Sequence, residues 1–362
     1  MKILAIHSSL SEDQNKRSAV DMWRIYRPLQ ELAKHTNWQI DHQPTFIKGI
    51  EKYKNANEFT EEELEKAFKT ICEYDIVFSS YHADPTAFSM LKVARDRAGT
   101  QFIMDVDDDM FSVNPDNPFW VKMTDEKCYW MQCMIRDNDW ISTTTEDLAR
   151  VFRLRRKRPV NTTFVNPNFI TDEYKRKPFK NKDVVIGYFG GSSHYQDLHE
   201  TGVAEAIEKL MHENKNLRFK AVGMPLDKYV PRKRYEFVQG KRGDGWIKEL
   251  HPNLAMDIAI APLHDNIFNH GKSNIKWQEA TRAGAALVAS NIGPYSHLKR
   301  GVAKLVDNNT ESWYKALKEL VDSKESRDQM LEIATKELEN YRLENNWTYY
   351  KNMFEKVMEA KK

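Results

Sequence analysis

The chain has 362 residues, of which 41% are apolar and 30% charged, with a formal net charge of +2. That is enough apolar residue for two domain cores and too little net charge to call for a polyanionic partner. The three cysteines, Cys72, Cys128 and Cys133, lack CxxC spacing, which argues against a disulfide framework or a zinc site. No run approaches the ~20 apolar residues that span a bilayer. The opening MKILAIHSS has too short an apolar run for a signal peptide, so a cytoplasmic protein is expected.

Residues 2–7 (KILAIH) read as a buried strand, then a polar loop, then a helix over 18–35 that Pro28 is expected to kink or split. Arg24 lies in that helix, where it also reads as a plain surface arginine. Residues 38–43 form a candidate second strand. Residues 60–72 (TEEELEKAFKTIC) read as a helix with its own cap and acids in its first turn. The strand 75–80 (DIVFSS) leads to His82, at the strand end where open α/β sheets put ligands, although a lone loop histidine also reads as structural.

The strand 100–105 (TQFIMD) runs into Asp105, Asp107, Asp108 and Asp109. Carboxylates so close repel one another if all are ionised and buried. A capped turn, a site for sugar hydroxyls or another acceptor, and a hard-cation site all remain open, although the spacing lacks the DxDxDG calcium pattern. A helix over 124–135 and a strand over 139–144 follow, then a helix that Thr144 or Thr145 caps (TEDLARVF). The basic run RLRRKR (153–158) ends at Pro159, residues 161–165 form the last strand of this half, and 166–181 read as a linker.

Residues 183–189 (DVVIGYF) open the second half as a buried strand. Gly190, Gly191, Ser192, Ser193 and His194 follow, and a helix runs from about 197 to 213. Strand, Gly-Gly loop, helix is an anion-cradle arrangement, because backbone N–H groups can approach phosphate with no Cβ in the way. After a strand at 219–222 comes a second basic stretch, PRKRYEFVQGKRGDGW (231–246), read as loop; two basic runs interleaved with aromatics are also a possible nucleic-acid groove. A strand at 257–263 (DIAIAPL) precedes NHGKSNIKWQEATRAGAALVAS (269–290). There Lys272, Lys276 and Glu279 are spaced to share a helix face, Gly284 ends the helix, and 285–290 form a strand. The two lysines also read as a solvated face paired to Glu279. A short strand near 303–306 and three helices, over 310–323, 324–341 and 346–360, complete the chain.

KSxxKxxEA followed by a small-residue turn and LVAS resembles the donor segment of GT-B glycosyltransferases, in particular the retaining family 4 type. The likeness spans nearly the whole chain and is strongest over 183–290; D-x-DDD-x-F after a strand is similar to bacterial and phage members. The resemblance implies two Rossmann-like α/β/α domains facing across a cleft: an acceptor-side domain over 1–168, onto which 342–362 packs back, and a nucleotide-sugar domain over 180–341. Glu279 matches the family's second glutamate, which holds the ribose; the position eight earlier is Gly271, so the first glutamate is missing. The family's Arg and Lys after the Gly-Gly loop are also replaced here, by Ser192, Ser193, His194 and Asp197.

The implied reaction is sugar transfer with retention from a nucleotide-sugar, a UDP-sugar being expected, to a hydroxyl of a glycan, a cell-surface polymer or a small molecule. Gly190, Gly191, Ser192, His194, Lys272, Ser273, Lys276 and Glu279 are the expected donor-binding residues. Asp107, Asp108 and Lys272 are the candidate catalytic residues, and Arg24, His82 and Asp105 are the acceptor-side ones. No metal and no cofactor beyond the donor is expected, since lysines and backbone dipoles replace the cation. Transfer to hydroxymethylated DNA bases and a non-catalytic nucleotide- or sugar-binding module are the alternatives.

Overall fold

The structure is a computed structural model that describes residues 1–7, 18–43, 60–80, 85–118, 120–156, 158–171, 179–191, 194–226, 228 and 230–361. The chain divides into two compact units: Met1–Phe111 with Met123–Asn168 and Leu343–Lys362, and Ser112–Lys122 with Phe169–Arg342.

The first unit holds β1 (Lys2–Ile6), α1 (Arg27–His35), β2 (Gln39–Gln43), α2 (Glu61–Cys72), β3 (Ile76–Ser80), α3 (Pro85–Ala98), β4 (Gln101–Val106), α4 (Asp125–Asp137), β5 (Trp140–Thr143), α5 (Glu146–Arg155) and β6 (Thr163–Val165). Its sheet is parallel throughout, in the order β2-β1-β3-β4-β5-β6. Strands such as IVFSS and QFIMDV are buried almost end to end, as expected where helices cover both faces. The capping box at Thr60 and Glu63 and the Thr145 cap form as their sequences dictate.

Pro28 does not split the first helix. A π-helical turn, Asp21–Tyr26, runs directly into α1, and the Arg27 N–H reaches back five residues to the Met22 carbonyl. The widened turn absorbs a residue that cannot donate to the helical ladder.

The second unit holds β7 (Val184–Phe189), α6 (Tyr195–His199), α7 (Val203–Glu213), β8 (Leu217–Val222), β9 (Tyr235–Val238), β10 (Ile258–Ala261), α8 (Ile267–His270), α9 (Ile275–Ala283), β11 (Ala286–Ser290), β12 (Lys304–Val306), α10 (Thr310–Asp322) and α11 (Lys324–Leu338). Its parallel sheet runs β12-β11-β10-β7-β8-β9. Read from β9, that is the dinucleotide-fold order 3-2-1-4-5-6, with the strand order reversing between β7 and β10. Gly284 takes φ 78°, and its left-handed conformation stops α9 and turns the chain into β11. After α12 (Leu343–Asn346), α13 (Thr348–Lys361) belongs to the first unit, where Phe354 meets the Phe78 ring edge-on at 5.4 Å between centroids.

Three sequence expectations change. The helix expected over 197–213 is two helices, α6 and α7. The second basic run is not all loop: β9 forms within it and pairs with β8. Lys272 does not share a helix face with Lys276 and Glu279, because α9 starts only at Ile275 and Lys272 precedes it. No helix among the described residues is long and apolar enough to cross a membrane.

Candidate functional site

The reversal between β7 and β10 makes the carboxyl ends of those strands the place where a ligand would sit in the second unit. β7 delivers Phe189 there, then Gly190 and Gly191. The Gly190 N–H donates to the Val222 carbonyl at 3.0 Å, which ties the loop to β8. A Cβ on Gly190 would stand 2.4 Å from the Tyr188 hydroxyl and 3.1 Å from Lys276 Nζ, whereas one on Gly191 would meet nothing within 4 Å. The two glycines therefore differ in kind: the first is forced by packing, and the second leaves its backbone open. Gly190→Ala is expected to cost about 1–3 kcal/mol in urea unfolding, and Gly191→Ala to cost less than about 0.5 kcal/mol.

Beyond the loop, Asp197 at the start of α6 gathers three partners. Its Oδ2 lies 2.7 Å from His194 Nδ1, and its Oδ1 accepts from the His264 N–H and from Asn269 Nδ2, both at 2.8 Å. One carboxylate thus clasps the loop after β7 to the segment after β10. Burial pushes the His194 pKa down, with the Asp197 bond opposing it.

α9 completes the arrangement. Lys276 Nζ donates to the Phe189 carbonyl at 2.5 Å and stands 4.8 Å from the Phe189 ring centroid. Burial pulls its pKa down, while the Glu279 charge works the other way. One turn on, the buried Glu279 accepts the Trp246 indole N–H at 2.8 Å. Burial raises its pKa, and Lys276 and that indole bond oppose the rise. Lys272 is half-buried and sits over the Phe268 ring, 4.2 Å from its centroid, and Ser273 is half-buried beside it. The structure thus brings Gly190, Gly191, His194, Lys276 and Glu279 to one sheet end, with Lys272 and Ser273 on the approach to α9; Ser192 lies outside the described residues.

His251 holds α9 in place: its Nε2–H donates to the Glu279 carbonyl at 2.9 Å, and its ring meets Trp246 at 5.6 Å. Burial brings its pKa down to about 4. The folded pKa lies below the unfolded value of about 6.5, so the unfolded chain binds the extra proton between the two. Stability from this group is complete above pH ~6.5 and falls as pH drops towards ~4, by about 2–3 kcal/mol. Urea unfolding at both ends of that window should show a smaller loss in His251→Asn than in the parent.

In the first unit the aspartate cluster divides. Asp105 is buried and receives Arg24 through Nε to Oδ2 at 2.9 Å and Nη2 to Oδ1 at 2.7 Å. The other side of the guanidinium donates to the Asn166 carbonyl and, at 3.2 Å, to Asn168 Oδ1. This corrects the expectation that Arg24 and Asp105 face an acceptor: both are 1% exposed and each satisfies the other. Asp109 is also buried and accepts the Phe111 N–H at 3.2 Å, which is the capped-turn reading. Asp107 and Asp108 are half-buried at the carboxyl end of β4. No group of three potential metal ligands exists among the described residues. His82 lies outside the described residues.

The basic runs are largely spent within the fold. Arg156 donates to the carbonyls of Ile135, Asn138 and Asp139, Arg153 pairs with Glu146, and Arg158 pairs with Asp139. Arg234 closes the end of α7 on the Met211 and Asn214 carbonyls, and Lys241 pairs with Glu249. Of the aromatics of the second run, Trp246 donates its indole N–H to Glu279 and the Tyr235 hydroxyl accepts the Leu226 N–H.

The sequence reading took Trp246 only as an aromatic of the second basic run, gave His251 and Asn269 no role, and mentioned Asp197 only as a departure from the family. The HxxD spacing of His194 and Asp197 was the one available signal. Trp246 and His251 reach α9 from 33 and 28 residues away, a distance that no local pattern encodes.

No protein-family model matches the sequence, and no curated protein matches it. Solved structures do. Sucrose-phosphate synthase from Thermosynechococcus elongatus superposes with a TM-score of 0.68 at 12% identity, over 99% of this chain and 100% of its own. Anabaena HepE in complex with UDP-glucose gives 0.66 at 14% identity, over 99% and 100%. A putative UDP-N-acetylglucosamine 2-epimerase from Listeria monocytogenes gives 0.54 at 14% identity, over 96% and 94%. At such identities the likeness is one of fold, and the fold is GT-B: two Rossmann-like domains, each on a parallel six-stranded sheet.

Proposed function

Proceeding from the GT-B fold, we propose that the chain is a glycosyltransferase that takes its sugar from a UDP-sugar bound on the second unit. The observation that carries this reading is the set at the β7/β10 strand ends: an open Gly191 backbone beside Gly190, a half-buried lysine at Lys276 and a buried carboxylate at Glu279 on one helix. Glu279 accepts from the ribose hydroxyls. The Gly191 amide, which Gly190 positions, Lys276, Lys272 and the α9 N-terminus with Ser273 receive the diphosphate. The sugar C1–O bond breaks with its electron pair on the phosphate, where this positive potential stabilises it. The acceptor oxygen bonds to C1. With retention the acceptor arrives on the leaving group's face, so the departing phosphate oxygen is the nearest base for its proton. Asp107 and Asp108 are the first unit's groups offered to an acceptor hydroxyl. His194, oriented by Asp197, follows the Gly-Gly loop in place of the cationic pair that the family carries there.

A glycan or small-molecule hydroxyl is the acceptor class that fits, since four arginines of the two basic runs, Arg153, Arg156, Arg158 and Arg234, are bonded within the fold. Cys72, Cys128 and Cys133 are unpaired, which supports the cytosol as the working compartment. The test is incubation with UDP-, GDP-, ADP- and dTDP-sugars and a panel of glycan acceptors, reading nucleoside diphosphate release and product configuration. UDP release with an axial-to-axial product supports the reading. Epimerised donor without transfer points to an epimerase, and binding without release points to a non-catalytic module; either result rejects it.

A further inference from the structure

A cavity of about 290 Å³ opens in the first unit at the amino-terminal end of its sheet, the end opposite to that which carries Asp107 and Asp108. Phe102 near the start of β4, Phe88 and Leu91 of α3 and Met134 of α4 give it an apolar wall. Lys92, Arg95 and Arg158 line it together with Asp137 and Asp139, three cations to two carboxylates, which leaves one positive charge over. Arg95 and Arg158 share a single oxygen of Asp139, each at 3.3 Å; Arg95 Nε also donates to Asp96 and Arg158 Nη2 to the Asp137 carbonyl, both at 3.1 Å, which leaves Arg95 Nη2 and Arg158 Nε and Nη1 for other acceptors. Asp96 and the Arg136 that pairs with Asp137 cancel in charge, so the surplus stands. Asn138 also lines the cavity. It is 5% exposed, its Oδ1 accepts the Asp139 N–H, and its Nδ2 is buried with no hydrogen-bond partner. A buried amide donor left unpaired costs free energy that an acceptor placed there would recover. The corner that presents it is fixed, because the Arg156 fork holds the carbonyls of Ile135, Asn138 and Asp139.

We propose that this cavity is a binding site for a small monocarboxylate with an apolar body. The single surplus charge suits a monoanion. The carboxylate accepts from Arg95, Arg158 and the Asn138 amide with Lys92 beside it, and the body lies on the Phe88, Leu91, Phe102 and Met134 wall. Charge-assisted, forked hydrogen bonds supply orientation, and the apolar wall supplies most of the affinity. The site stands apart from the nucleotide-sugar reading and does not depend on it.

The test is isothermal titration of the full chain with phenylacetate, hexanoate and hexylamine. Both carboxylates should bind with dissociation constants of about 1 mM or tighter, and the amine should not. Lys92 is exposed, so Lys92→Glu keeps the fold, and it should weaken both carboxylates by about tenfold or more. Arg95→Gln, with its fold checked by circular dichroism, should do the same. Saturating UDP should leave the phenylacetate constant unchanged. The proposal is overturned by absence of carboxylate binding up to ~20 mM, by equal binding of the amine, by an unaltered constant in Lys92→Glu, or by competition with UDP.

Discussion

Asp105→Ala should destabilise the first unit by about 3–5 kcal/mol, because it leaves a guanidinium in the core without its counter-charge. Arg24 is 1% exposed and spends both Nε and Nη2 on Asp105. Burial works against its charge, and Asp105, with Tyr350 and Asp107 adding to it, more than offsets this, so the Arg24 pKa is raised. The carbonyl of Asn166 and the side chains of Asn168 and Ser142 remain as acceptors, but they carry no charge. In a thermal scan the first-unit transition should fall by on the order of 10 °C. Asp107→Ala, two residues on and half-buried, should change stability by no more than about 0.5 kcal/mol. The double change Arg24→Met with Asp105→Leu should recover much of the loss, since apolar replacement of a buried pair is often neutral. A loss below about 1 kcal/mol for Asp105→Ala would mean that the pair does not hold the first unit together.

The second large effect is catalytic. Lys276→Ala should lower kcat by about 10²- to 10³-fold with a smaller change in KM, the signature of charge stabilisation that grows as the phosphate departs. Lys276 is held against the Phe189 carbonyl at the root of the Gly190–Gly191 loop, so its ammonium is fixed before any ligand arrives. Lys272→Ala should cost about tenfold or less, because that lysine precedes α9 and lies over an aromatic ring near solvent. Steady-state kinetics of the two variants with the same donor decide the ranking. An equal or larger effect at Lys272 would move the centre of the phosphate site off α9.

The alternation of strands and helices, the caps at Thr60 and Thr145, the Gly284 stop and the strand end at Phe189 were all readable, because each depends on residues a few positions apart. The pairing of α9 residues with the Gly-Gly loop followed from the same crossover logic. What the sequence hid is long-range. Arg24 and Asp105 are 81 residues apart, and nothing local distinguishes an arginine bound for the core from one at the surface. The four aspartates looked like one cluster. The fold sends Asp105 to an ion pair and Asp109 to a turn, and leaves Asp107 and Asp108 half-buried. The basic run 231–246 looked like loop because its charges mask a short edge strand, where β9 places Glu236 opposite Lys220. Lys272 was misplaced by a helix start read three residues early; no Ser/Thr/Asp/Asn side chain caps the true start at Asn274.

The most direct measurement of the central claim is calorimetric titration of UDP into the parent chain and into Glu279→Ala. The account predicts one site per chain in the parent and a loss of at least about tenfold in affinity in the variant, as expected when a hydrogen bond to a charged group is removed. Absence of UDP binding to the parent, or equal binding by Glu279→Ala, would contradict a donor site built on α9.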